Sequence, residues 1–341
     1  MSETARMLAD TAERFLERNA PEPGQAPSEG FIAAMQETGL ALALAPEEAG
    51  GIAGSWSDAA VIARIWGQAA APLPIVEIML AARFAGLAGD DALFATIAQP
   101  KPLALKADGT LCGPMMDAAW ADGMSAVLAV AKDEAGKTVL VSVPASKAEL
   151  GKDLAGGPRL KIDPAALSAS DVKALGAVDE PVAELGGLLM SAAMLGAMDK
   201  ILEIVIEHAN TRHQFGKPLA KFQAIQHALS DAASEITATR AALDGTLKLA
   251  DEGRMRPFDG WVVKVQAARA ATLVAATAHQ VLGAIGFTDE HMLHHYTKRL
   301  WTWRDDWGRQ AHGEQAIGKA SIAAGRDGLW SLIIGDDVEA A

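Results

Sequence analysis

Three groups of residues could do chemistry. His291, His294 and His295 crowd one stretch, and His291 and His295 sit four apart on one helix face, as a zinc pair would. No glutamate stands between them in the metalloprotease position, and the single cysteine, Cys112, is remote. A polar bundle surface is expected there, and no metal. Trp301, Trp303 and Trp307 gather around Arg304, Asp305 and Asp306. Trp303 and Trp307 fall one helical turn apart, which suits an aromatic packing patch capped by charges. The other reading is an interface or ligand wall, where Trp and Arg are favoured. In the third group, ANTRHQFGKPLAKFQAIQHALSD at 209–231, Arg212 and His213 end a long helical run, Gly216 and Pro218 make a turn, and a new helix opens near Leu219. By spacing alone this is a helix–turn–helix corner plugged by Phe215 and Phe222. No Gly-x-Gly-x-x-Gly follows a strand, GGIAGS at 50–55 lacks that spacing, and no Walker loop occurs.

Mostly helices must position these groups. Leu8, Ala12, Phe15 and Leu16 repeat at helical spacing over 2–20, and Ser28 is an N-cap for a helix through Glu37. Further helices are predicted from about Ser57 to Ala71 and from about Pro74 to Gly86, after a Gly/Pro loop at 46–54. The middle reads differently. Asp108-Gly109 separates two short apolar runs, a hairpin signal, and Gly136-Lys137 precedes Val139, Val141 and Val143 in alternation. Residues 182–211, 219–250, 258–284 and about 289–304 then read as four long helices, which pack naturally as a bundle. The fold class expected is mainly α with a small β domain. The expected units are an N-terminal helical domain (1–100), a β-rich middle domain (101–180) and a C-terminal four-helix bundle (181–341).

Composition narrows the function. Hydrophobic residues make up 50% of the 341 but aromatics only 5%, so Ala and aliphatics build the core and favour helix. A net charge of −13 opposes binding to nucleic-acid phosphates. One cysteine excludes an internal disulfide framework and cysteine-rich metal sites. Acidic residues Glu3, Asp10, Glu13 and Glu17 do not suit a secretory signal, so a cytoplasmic location is expected. The uncharged stretches 185–198 and 272–288 are read as buried helices and not as membrane spans.

The corner at 209–231 resembles the R-x-x-F-G-x-x-x-x-x-x-Q corner of the acyl-CoA dehydrogenase family. HQVLGAIGFTDEHMLHHYTKR at 279–299 resembles the family's Q-x-x-G-G-x-G-(F/Y) segment. FIAAMQETGLALALAPEEAGG resembles its helix leading into a Pro-Glu-Glu-x-Gly-Gly loop. The three come in the family's order and cover most of both helical parts. The resemblance implies a helical–β–bundle layout with FAD between the β domain and the bundle, part of the FAD site coming from a neighbouring subunit. It also implies α,β-dehydrogenation of an acyl-CoA substrate. A carboxylate takes the α-proton, hydride passes to the flavin, and an electron-transfer flavoprotein is the expected acceptor.

On that resemblance Arg212 would contact the FAD pyrophosphate across a subunit interface, and its guanidinium fork suits phosphate oxygens. Gln214 and Phe215 would pack and hydrogen-bond at the same edge, and Gln223 maps to the family glutamine on the next helix. Gln280 and Gly283 map to the segment that approaches the adenosine diphosphate part, with Ala284 replacing the usual second glycine.

The base departs from the family pattern. The Tyr-Glu-Gly string that usually carries it falls at Asp306-Trp307-Gly308, where Asp306 is one residue off and a methylene shorter. The alternative family position falls at Gly186, and Glu184 lies two residues away, turned by about 200° on a helix. ATIAQP at 95–100 stands where a Thr-Glu-Pro string is usual, and Gly-Ser-Asp is missing. No residue of this chain is therefore expected to be catalytic.

The preferred reading is the smaller, base-lacking subunit of a bacterial α2β2 acyl-CoA dehydrogenase, several of which act on steroid side-chain CoA esters. It completes the FAD site while a larger partner supplies the glutamate. The alternatives are a self-sufficient homo-oligomer using Asp306, and a structural relative that binds no flavin.

Overall fold

Helix caps visible in the sequence set the first elements. In the computed structural model, which describes residues 2–21, 27–89, 94–121 and 123–335, α1 (Glu3–Asn19) starts where the Ser2 hydroxyl accepts from the Ala5 amide. Ser28 does the same for Phe31 at the start of α2 (Glu29–Glu37). A reciprocal capping box between Ser55 and Asp58 opens α3 (Trp56–Gln68), slightly ahead of the predicted start at Ser57. The fourth helix, α4 (Ile75–Leu87), is apolar on nearly every face and is buried accordingly.

Nine short strands follow among the described residues. They are β1 (Thr96–Ile97), β2 (Ala104–Leu105), β3 (Leu111–Cys112), β4 (Met116–Ala119), β5 (Ala126–Lys132), β6 (Thr138–Pro144), β7 (Glu149–Lys152), β8 (Pro158–Ile162) and β9 (Lys173–Ala177). One sheet runs β3-β2-β5-β6-β9, with β1 parallel to β5; the other is β4-β8-β7. The Asp108-Gly109 turn joins β2 to β3 as the sequence suggests, with Gly109 at φ 84°. The alternating valines of β6 pair with β5, Val141 opposite Ala129 and Val143 opposite Val127. Val141 and Val143 are buried in the core between the two sheets.

The C-terminal helices are α5 (Val182–Thr211), α6 (Gln223–Asp251), α7 (Pro257–Leu282), α8 (Leu293–Asp305) and α9 (Gln310–Ile334). A strand pair, β10 (His213–Gln214) with β11 (Lys217–Pro218), separates α5 from α6. The predicted start of α6 at 219 is one 3-10 turn; extended Phe222 delays the helix to Gln223. By length and composition the segment Pro257–Phe287 could cross a bilayer. Here it packs against α5, α6, α8 and α9 as a core helix. The last helix, α9, bends at Gly325, whose φ of 63° and ψ of −175° are not helical.

One hydrophobic core runs without a break from α1–α4 into the bundle, while the β sheets hold a second. The first is joined where α3 crosses α5. There a Cβ on Gly67 would stand 1.9 Å from the Ala193 carbonyl oxygen, and one on Gly196 would stand 1.9 Å from that of Arg64. Only glycine lets these two backbones meet.

Candidate functional site

The seam between α4, the β domain and the bundle holds a buried polar cluster. At its centre is Trp307, 2% exposed, in the turn that follows α8. Its indole Nε1 donates to Glu77 Oε1 of α4 at 2.9 Å, and its backbone amide donates to the side chain of Gln99. Its φ of 55° is uncommon for a bulky residue, and Gly308 beside it sits at φ 109°. The helix α8 ends at Asp305, so Trp303 and Trp307 do not share a helix face. That corrects the one-turn spacing read from the sequence: Asp306 is extended and breaks the periodicity.

Lys264 fixes the turn from α7. Its ammonium, fully buried, donates to the carbonyls of Trp303 and Arg304 at 2.8 Å each, a cation on the C-terminal end of α8. Arg159 of β8 donates to both oxygens of Asp306, at 2.9 and 3.1 Å, and to Asp117 of β4 at 2.8 Å. Asp306 is thus tied by a buried bridge to the β domain, while Arg304 approaches Asp305. Burial perturbs each group. Glu77 is pushed up to about 7, by desolvation first and then by the nearby charge of Asp306. Desolvation also raises Asp306, against the pull of Arg159, and lowers Lys264 to about 7.

The two positions to which the resemblance assigned a base meet here. A Cβ on Gly186 would stand 2.0–2.4 Å from ring carbons of Trp307, so the ring lies flush on the α5 backbone. Glu184 is half-buried in the first turn of α5; desolvation raises its pKa while a hydrogen bond with Trp261 lowers it. Around the residues that hold the turn, a cavity of about 60 Å³ remains, lined in part by Glu77, Trp120, Arg159 and Asp306. That is room for about two waters at ~30 Å³ each. That space is too small for a flavin ring.

At the far end of α5 the surface is open. Arg212 caps the helix, its amide donating to the His208 carbonyl and its carbonyl accepting from Leu219 N. The β10–β11 hairpin turns at Phe215 and Gly216, both at positive φ (52° and 80°), the pattern that matches strand twist in a two-residue turn. This holds Arg212, Gln214, Phe215 and Gln223 exposed on one corner. Phe215 is 91% exposed and is not a core plug. Lys217 stands 4.3 Å over the Phe222 ring, and Lys221 is also exposed. A basic corner on so acidic a chain suits phosphate oxygens.

Gln280 is exposed at the end of α7, and Gly283 at its C-cap has φ 63° and ψ −138°, which favours glycine. His291, in the loop beyond, is near enough to His208 for their charges to interact, so this loop lies at the Arg212 end of the bundle. The histidines bond locally, His291 Nδ1 accepting from Leu293 N, and no metal-binding group occurs among the described residues. Trp301 stacks on His279 at 6.0 Å as packing.

Sequence reasoning missed Glu77, Lys264, Gln99 and Arg159. The first two had a signal, a lone charge inside the apolar runs PIVEIML and WVVKVQA. Arg159 had none, and Gln99 lay within ATIAQP without a role being read for it.

Comparison with known proteins agrees with this geometry. The sequence profile of the acyl-CoA dehydrogenase N-terminal domain matches residues 2–93 and that of the C-terminal domain matches residues 184–303, together more than half of the chain. The chain is 26% identical over 315 residues to the acyl-CoA dehydrogenase IpdE2 of Mycolicibacterium smegmatis, covering 88% of this chain and 93% of that protein. It is also 26% identical over 273 residues to IpdE2 of Mycobacterium tuberculosis, covering 77% of each. Among solved structures, the Tcur3481-Tcur3483 steroid ACAD G363A variant superposes with TM-score 0.83 and 22% identity over 94% of this chain and 99% of that one. The ChsE4-ChsE5 complex from Mycobacterium tuberculosis superposes with TM-score 0.81 and 21% identity over 96% and 99%. With both domain profiles matched in order on the helical–β–helical fold, the chain belongs to the acyl-CoA dehydrogenase family of FAD-dependent oxidoreductases.

Proposed function

We propose that this chain is the base-lacking subunit of an α2β2 acyl-CoA dehydrogenase built from unlike chains. Its task is to complete the FAD site of a larger partner that supplies the α-proton base. One observation carries this reading: Gly186 and Trp307, the two positions that the resemblance assigns to the base, touch each other and neither is a carboxylate. Asp306, which the homo-oligomeric alternative needs free, is bridged to Arg159. A base must come within about 2.6–3.2 Å of the proton it takes, and a carboxylate clamped in a buried bridge has lost that freedom.

The corner with Arg212, Gln214, Phe215 and Gln223, together with Gln280 and Gly283, is the part of this chain that fits FAD. Arg212 would bind the pyrophosphate, and the Gly283 backbone would approach the same anion. When bound, the flavin takes up the hydride removed from the acyl β-carbon. Two structural neighbours, one a steroid ACAD and one a complex of two differently named chains, support a steroid-type acyl-CoA substrate and an unlike partner. An electron-transfer flavoprotein is the acceptor that this reading implies.

The test is Arg212→Lys in the complex with its partner. The change keeps the charge and removes the fork. FAD retention should fall by about 1–3 kcal/mol, the range for a hydrogen bond to a charged group. Unchanged flavin affinity in a correctly assembled complex would remove Arg212 from the site.

A further inference from the structure

We infer that Trp307 is a built-in plug: its indole fills the seam between α4, the β domain and the bundle, so this chain's own cleft is a latent aromatic site occupied by its own side chain. The inference rests on the family fold and not on the pairing with a larger subunit. Four observations converge. The ring is buried and lies against Gly186, where no side chain larger than hydrogen fits. Its Nε1 has a dedicated acceptor in Glu77, and its amide has one in Gln99. The backbone holds it at φ 55°, a left-handed conformation that a bulky residue keeps only when its surroundings impose it. Lys264 and Arg159 hold the residues on its N-terminal side from two further elements.

The plug thus touches or is braced by all three parts of the chain. α4 supplies Glu77, the β domain supplies Arg159 and Asp117, and the bundle supplies Gly186 and Lys264. A buried aromatic removes a large area from water and sets the geometry of whatever packs around it. Here it joins the domains at a seam that, on the resemblance, holds flavin in other members. The cavity lined by its neighbours Glu77, Arg159 and Asp306, about 60 Å³, is far below the roughly 300 Å³ of a small-molecule pocket. Neither a flavin ring nor an acyl chain fits the volume that the indole itself fills unless the indole leaves.

Two measurements test this. Trp307→Gly should keep the turn, because glycine accepts positive φ, and should leave an indole-shaped hole. We expect the melting temperature to fall by roughly 10 °C, and free indole at millimolar concentration to restore at least half of that fall. Indole should have no effect on the wild-type chain. The second measurement is a double-mutant cycle. Gly186→Ala should destabilise the wild type strongly, since its methyl meets the ring, and should be neutral or stabilising in the Trp307→Gly background. The plug is wrong if indole leaves a folded Trp307→Gly chain unchanged and Gly186→Ala costs the same in both backgrounds. Should Trp307→Gly fail to fold, milder Trp307→Phe replaces it in the cycle and must relieve the Gly186→Ala penalty. A complex that lacks flavin altogether would count against the proposed function and leave these results untouched.

Discussion

Glu77 shows how much of the site is decided by single buried charges. Its carboxyl is raised from an ordinary 4.5 to about 7, chiefly by burial. A raised folded-state pKa means that the folded chain holds a proton which the unfolded chain releases. The stabilising contribution is therefore complete below about pH 4.5 and is lost as pH rises toward 7. Glu77→Gln keeps an acceptor for Trp307 and cannot ionise. In thermal melts from pH 5 to pH 8, wild type should lose ground to Glu77→Gln by on the order of 2–3 kcal/mol. Parallel pH profiles would show that Glu77 is not the titrating group. Lys264, lowered to about 7, has the opposite sign: its contribution is present above its unfolded value and is lost as pH falls through about 7. Asp306→Asn separates stability from catalysis. Removing one partner of a buried ion pair should cost about 3–5 kcal/mol, yet turnover of the assembled complex should stay within about tenfold, since misplacing a true catalytic group costs a hundredfold or more. A thousandfold loss with FAD still bound would restore Asp306 as the base. At this scale the sequence was informative about placement where a motif marked it, as at Arg212, which ends α5 as read. It was silent at Arg159, because nothing in PRLKI reveals that β8 faces the bundle.

Among elements, the crossing of α3 and α5 depends on two glycines. Gly196→Ala would place a methyl 1.9 Å from the Arg64 carbonyl oxygen, backbone that cannot rotate away. Overpacking of this kind should cost about 1–3 kcal/mol or more, read as a lower denaturation midpoint; an unchanged midpoint would mean that the two helices can separate freely. The caps at Ser28 and the turn at Gly109 were legible because local hydrogen bonding and backbone geometry fix them. The ninth helix was not read. Gly313, Gly318, Gly325 and Gly328 dilute its helical pattern, and many of its apolar residues, Ile322 and Trp330 among them, remain exposed. Trp307 was misplaced for a related reason: helical spacing was extended past Asp305, where the chain leaves the helix to form the Lys264-anchored turn.

For the whole molecule, one group of exposed apolar residues lies where the proposed assembly would cover it. Phe215 and Phe287, 91% and 73% exposed, and also Ile285 and Met292, belong to the corner and the loop that the FAD reading assigns to a subunit interface. Such surface is uncommon on a monomer, so sedimentation with the partner present should show a larger assembly and no sharp monomer at micromolar concentration. The layout of helices, strands and bundle was legible because it follows from periodicity and turn residues. The closure of the seam was not, because it depends on residues far apart in sequence meeting at Trp307. The most direct measurement is the flavin content of this chain, alone and co-purified with a larger acyl-CoA dehydrogenase subunit. The account predicts a colourless chain alone, and one FAD for each pair of unlike chains in the complex. A chain that purifies alone as a yellow homo-oligomer and oxidises acyl-CoA would contradict it.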